Sequence, residues 1–129
     1  VKKVFPIKQG VVAPIELTLV DRTGAPITLA NLTSLELYLW NGEGHETADA
    51  INNRKVGHAN ANVKGANSGT VHATSGLFTW LVQLADAPIV NPRLGIGDTE
   101  LHVFRVKAVH TQSGSPFVEI YGMRVERTQ

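Results

Sequence analysis

Leucine and isoleucine occupy every second position of Ile15-Glu16-Leu17-Thr18-Leu19, and the alternation returns at Leu35, Leu37 and Leu39 around Glu36 and Tyr38. A period of two marks a strand with one buried face and one wet face. Pro14 falls at the first position of the earlier strand, where a missing N–H does least harm. Between the two strands, Asp21-Arg22-Thr23-Gly24 reads as a tight turn, because Gly24 is free to take positive φ. Pro26 to Leu29 follows as a short returning strand and Ala30 to Thr33 as a corner.

The pattern then lapses. Asn41 to Asn53 is rich in Gly, Asn and acidic residues without apolar periodicity, which predicts a long exposed loop. Val56 to Val63 alternates weakly with small residues, as an edge strand would, and Thr70 to Ala73 forms another short strand. Leu77 to Leu84 is strongly strand-like, with Phe78, Trp80, Val82 and Leu84 on one face. Ala85 to Asp98 holds two prolines and two glycines and allows only a short helical turn. Thr99 to His110 is a long strand with Phe104, Val106 and Ala108 inward, and Phe117 to Val125 closes the chain. Seven to eight strands separated by turns, with no amphipathic helix, predict an all-β antiparallel immunoglobulin-like β-sandwich. A closed barrel is the alternative.

Composition narrows this further. The 129 residues suit one domain, 1–129, carrying an N-terminal segment 1–10 and the loop 41–53 as appendages. With 12 basic and 11 acidic residues scattered along the chain, nothing favours nucleic acid as a partner. The absence of cysteine removes disulfides, thiolate metal sites and a cysteine nucleophile. No apolar run reaches the roughly 20 residues that span a bilayer, and no secretory leader opens the sequence, so no membrane partner is expected. Asn31-Leu32-Thr33 matches a glycosylation acceptor, read as incidental without such a leader.

Candidate chemistry fails on spacing. His102 and His110 share a face of one strand, but eight strand residues place them about 26 Å apart. His45 has Glu43, Glu46 and Asp49 for neighbours, in a spacing that fits no known cage, so a solvated loop is expected and no metal or cofactor. His58 and His72 read as surface residues. Glu16, Glu36 and Glu119 are outward carboxylates of the kind that keep a sandwich soluble, not a catalytic pair. Gly42-Glu43-Gly44 and Gly95-Ile96-Gly97 precede no helix and cannot cradle a phosphate. No catalytic residue emerges. Trp40 faces away from the leucines at the mouth of the long loop, where it is either capped by that loop or part of a contact surface.

The segment "PIELTLVDRTGAPITLANLTSLELYLW" resembles a module of tailed bacteriophages, the N-terminal β-sandwich of baseplate upper proteins. Leu19-Val20-Asp21, Gly24-Ala25-Pro26 and Ile27 to Leu32 occupy its "L-T-D-x-x-G-x-P-x-x-L" pattern. "SGLFTWLVQLADAPIV" is similar to its later strand, and Leu101 to Val125 to its closing hairpin. The chain departs from it by the insertion Asn41–Asn53. The resemblance implies a non-enzymatic structural protein of the virion, in tail or baseplate or as capsid decoration. Its expected partners are other virion proteins and further copies of itself. A carbohydrate-binding sandwich is the rival reading and would need Trp40 and Tyr38 as its platform. Contacts are expected on the terminal segment, at Val1, Lys2, Lys3, Val4, Phe5, Ile7 and Lys8. Pro6 unfits that segment for a central strand, so it forms an edge strand or lies on a neighbour. Trp40, Glu43, His45, Glu46 and Asp49 complete the expected contact set, with the edge of Val56–Val63 beside them.

Overall fold

A computed structural model describes residues 1–129. Seven strands form: β1 (Val4–Lys8), β2 (Ala13–Thr18), β3 (Leu32–Asn41), β4 (Gly69–Val71), β5 (Leu77–Val82), β6 (Thr99–His110) and β7 (Phe117–Glu126). They divide into a four-stranded sheet, order β1-β7-β6-β3, and a three-stranded sheet, order β2-β5-β4. Every pairing is antiparallel except that of β1 with β7. The architecture is all-β and sandwich-like, without an α-helix.

The period-two residues do what their spacing predicts. Leu35, Leu37 and Leu39 of β3 join Phe104, Val106 and Ala108 of β6 and Met123 and Val125 of β7 in one core. Ile15 and Leu17 of β2 and Phe78, Trp80 and Val82 of β5 meet them from the other sheet. Trp80 approaches Phe104 edge-on at 5.3 Å between ring centroids, and Phe104 stacks on Tyr121 at the same distance. Such aromatic pairs add about 0.5–1.5 kcal/mol beyond their buried area.

The turn after β2 is closed by its aspartate. Asp21 Oδ1 accepts from the Thr23 hydroxyl (2.6 Å), the Thr23 amide (2.8 Å) and the Ala25 amide (3.1 Å). Oδ2 accepts from Gln112 in the β6–β7 turn at 3.0 Å. The Thr23 hydroxyl is the largest influence on this carboxyl; burial opposes it, and the net effect is a pKa of about 2. Gly24 takes φ +85° here, as the turn requires.

Four expected elements differ, each for a local reason. Pro26–Leu29 is no strand: it makes one bridge to Val20, then Gln112 Oε1 takes the Thr28 amide (2.9 Å) and the chain enters a 3-10 turn, Leu29–Asn31. Val56–Val63 is no strand either. His58 Nδ1 accepts the Asn60 amide at 3.1 Å and caps a 3-10 turn, Ala59–Ala61, a local bond that competes with a strand ladder. Leu84 does not continue the inner face of β5; it is 58% exposed on the 3-10 turn Leu84–Asp86. That turn forms because Asp86 faces inward and its Oδ2 accepts the Gln83 amide at 3.0 Å. Lastly, only the first part of Asn41–Asn53 is an exposed loop. Ala50 bridges Trp40, Ile51 is buried, and the Ile51 amide donates to Leu39 O at 2.8 Å.

The long connection from β3 to β4 therefore lies along the free edge of β3. A buried ion pair holds it there. Arg54 Nε donates to Asp86 Oδ1 at 2.6 Å and Nη2 to Oδ2 at 3.1 Å, while Nη1 donates to Asn60 O at 2.8 Å. Asn52 Nδ2 donates to Asp86 Oδ1 at 2.8 Å, so the carboxylate is satisfied from three directions. The guanidinium also lies over Trp80, 5.4 Å from the ring centroid.

Candidate assembly surface

Alternation gives each strand a second face, and on the four-stranded sheet that face has an apolar centre bordered by charged residues. Val118, Ile120, Gly122 and Arg124 of β7 point away from the core, beside Lys107, Arg105, Val103 and Leu101 of β6. Val4 of β1 sits against Gly122 on the other side. Val118 is 46% exposed, Ile120 41% and Val4 39%. Gly122 forms the floor. A Cβ there would stand 3.0 Å from Leu101 Cδ1, 3.1 Å from Val4 Cγ2 and 3.2 Å from Val1 Cγ1, so three apolar side chains close over the missing methyl.

The N-terminal segment makes one margin of this face. The Lys2 amide donates to Ile120 O and the Gly122 amide to Lys3 O, both at 2.8 Å, which extends the parallel pairing of β1 upstream. Phe5 and Ile7 turn inward: Ile7 is buried, and Phe5 lies 6.2 Å from Phe104 and 6.1 Å from Tyr121. Those two residues, expected as contacts, belong to the core instead, because inward positions of an edge strand complete it. The segment is an edge strand of its own fold; Val1 and Val4 carry its outward side, while Lys2 Nζ donates to Glu119 Oε1 at 3.1 Å. Lys3 lies 4.8 Å from the Phe5 ring, and Lys8 is exposed at the far end of β1.

The loop after β3 makes the other margin. Glu46 Oε1 accepts from Arg105 Nη2 at 2.6 Å, and the Arg105 guanidinium lies 4.8 Å from the Tyr38 ring centroid. Tyr38, outward by alternation, is thereby buried. Trp40 is half-buried, and its backbone bridges Ala50 of the loop. Glu43 is exposed. His45 and Asp49 close the loop on itself: the His45 amide donates to Asp49 Oδ2 at 2.7 Å and the Asp49 amide to His45 O at 3.0 Å. The structure thus brings Val1 and Val4 to one side of a single face and Trp40, Glu43 and Glu46 to the other. Its centre, Leu101, Val103, Val118, Ile120 and Gly122, was missed in the sequence. The readable signal is β7 itself, where apolar residues stand at Val118 and Ile120 as well as at Phe117 and Tyr121.

The histidines take structural positions. His102 is buried on the inner face of β6, and its Nε2 meets Glu100 Oε2 at 2.6 Å. The same carboxylate accepts the amides of Val90 and Asn91 at 2.9 Å each and so pins the β5–β6 connection. Burial pulls the His102 pKa down, against the pull of Glu100, so the ring is neutral. A neutral ring donating from Nε2 leaves Nδ1 as an acceptor, which has no partner. For Glu100, burial raises the pKa, but the bonds from Asn91, His102 and Val90 outweigh it and hold the carboxyl below its ordinary value. His58 and His72 each accept backbone amides in local turns. No group of three or more His, Asp or Glu converges in a way that could hold a metal ion.

No protein-family model matches the chain, and a search of curated proteins returns no match.

Proposed function

We propose that this chain is a non-enzymatic structural component of a bacteriophage virion that docks on neighbouring subunits through its surface. The observation that carries the docking half is the outer face of the four-stranded sheet. A sandwich whose core is already closed has no internal use for exposed Val4, Val118 and Ile120 side by side, and contiguous apolar surface marks interaction sites. The phage half rests on the resemblance of the Leu19–Leu32 segment to the baseplate module, and Asp21 and Gly24 of that motif have a clear task in closing the turn.

The finer fold reading is an immunoglobulin-like sandwich. Its support is the partition of strands: β2, β4 and β5 in one sheet against β3, β6 and β7 in the other, the division made by the B, D, E and C, F, G strands of that fold. The carbohydrate-binding alternative needs Tyr38 and Trp40 as a platform. Tyr38 lies under Arg105 and Trp40 is half-buried, which leaves no open aromatic platform and favours docking. Mass spectrometry of purified particles from the phage encoding this chain tests the proposal. The chain is expected as a multi-copy component; its absence from particles, while present in infected cells, overturns the reading. Labelled density on the same particles separates tail or baseplate from capsid decoration.

A further inference from the structure

The sheet edges offer little to a partner. The β3 edge is covered by residues 49–63, with Leu35, Leu39 and Asn41 already hydrogen-bonded to that segment. Proline interrupts both β1 (Pro6) and β2 (Pro14), and β4 has three residues. What remains is the outer face with its apolar centre, and two exposed charges lie on opposite sides of that centre. Arg124 stands on β7 toward the β1 margin, where Lys8 is already beside Glu126 and Lys2 Nζ is bonded to Glu119 Oε1 at 3.1 Å; Glu43 lies exposed just beyond the end of β3. On the face itself Arg105 is neutralised by Glu46, and Lys107 stands beside Glu36.

We propose that the outer face of the four-stranded sheet binds a second copy of this chain, face to face, about a twofold axis parallel to the strands and between β7 and β6. Such an axis lays β7 over β6 of the second copy and β1 over its β3. Apolar centre meets apolar centre. Rotation about an axis along the strands preserves height, so the strand register names the charge pair. Arg124 stands beside Leu101, whose carbonyl accepts the Gly42 amide at 2.9 Å, so Arg124 and Glu43 share one height. Each copy thus offers Arg124 to Glu43 of the other, twice over, the self-complementary pattern that a twofold interface requires.

The size is adequate. Strands of 5, 10, 12 and 10 residues, spaced about 4.8 Å apart and rising roughly 3.3 Å per residue, present on the order of 600 Å² in projection. Side-chain relief raises the accessible area above the projection, toward the roughly 800 Å² per partner of a standard interface. The inference rests on the docking half of the proposed function, whose partner it names, and is independent of the phage half.

Sedimentation equilibrium of the purified chain at about 10–100 µM, above the micromolar end of affinities for such interfaces, tests it. The wild type is expected as a dimer. Ile120→Asp is expected as a monomer with an unchanged far-ultraviolet spectrum, while Leu81→Asp on the opposite sheet remains dimeric. Arg124→Glu is expected to raise the dimer dissociation constant at least tenfold, and adding Glu43→Arg to restore most of it. A monomeric wild type, a dimeric Ile120→Asp, or a double charge swap no better than Arg124→Glu alone overturns the proposal. Dimers of a chain that never enters particles would overturn the virion reading and leave this one standing.

Discussion

The two outer faces of the sandwich differ, although both come from strands with the same inward pattern. On the three-stranded sheet the outward residues are Pro14, Glu16 and Thr18 of β2, Leu77, Thr79 and Leu81 of β5, and Thr70 of β4, so polar and apolar positions are mixed. An antiparallel sheet commonly has one face packed and one wet. On the four-stranded sheet Val4, Leu101, Val103, Val118 and Ile120 gather around Gly122, with Arg105, Lys107 and Arg124 at the border of that group. A strand needs apolar residues on one side to fold, and on both sides only if both become covered. The comparison therefore separates what builds the domain from what the domain is used for.

Both faces stand on one core, so damage inside must loosen them together. The largest effect is expected from Asp86→Ala, which leaves the Arg54 guanidinium buried without its counter-ion. Breaking such a pair costs about 3–5 kcal/mol. Urea unfolding should show one transition at lower midpoint; a loss under about 1 kcal/mol would mean that the β3–β4 connection is held by other contacts. Leu37→Ala, at the centre of the core, should cost about 2–5 kcal/mol in the same measurement, equally for both sheets.

Much of the fold is legible in the sequence because the inner residues obey strict alternation, as in Leu35-Glu36-Leu37-Tyr38-Leu39. What escapes is governed by single side chains acting at a distance in sequence. Gln112 diverts Thr28 into a 3-10 turn, and Asp86 ends β5 early because Arg54, 32 residues before it, waits in the interior. Neither residue carries a local pattern that announces its partner. Of the proposed contact surface, only the margins have a signal in the sequence: residues 1–8 and 41–53 stand out as segments without the alternation of an inner strand, whereas the proposed centre is hidden within two ordinary strands. Only the pairing register, which sets Ile120 beside Arg105 and Gly122 between Val4 and Val103, shows that these residues form one patch.

Titration should act on the shared interior and not on the difference between faces. His102 has a folded pKa below its ordinary 6.5, so the unfolded chain binds the proton more readily. Its contribution is full above that unfolded value and is lost as pH falls toward the folded one. Thermal melts from pH 7 to 5 should show falling stability, and His102→Gln should flatten that slope. Asp21 works in a lower window: its contribution is present above 3.8 and lost as pH falls through about 2, and Asp21→Asn should remove this acid sensitivity. A slope unchanged in either variant would assign it to other groups.

The smallest effect on folding is expected where the two faces are compared directly. Ile120→Asp and Leu81→Asp both place a carboxylate on an exposed strand position, and each should leave the unfolding free energy of the dilute monomer within about 0.5 kcal/mol of wild type. They should part company only in association. If Ile120→Asp proved severely destabilising, the four-stranded face would be part of the domain's own core and not a surface for a partner.

Hydroxyl-radical footprinting read by mass spectrometry tests this most directly, because it reports both faces in one sample. As concentration rises through the association range, oxidation of Val118, Ile120 and Val4 should fall severalfold, while Leu81 and Leu84 keep their reactivity. Equal reactivity of the two sets at every concentration would contradict the account.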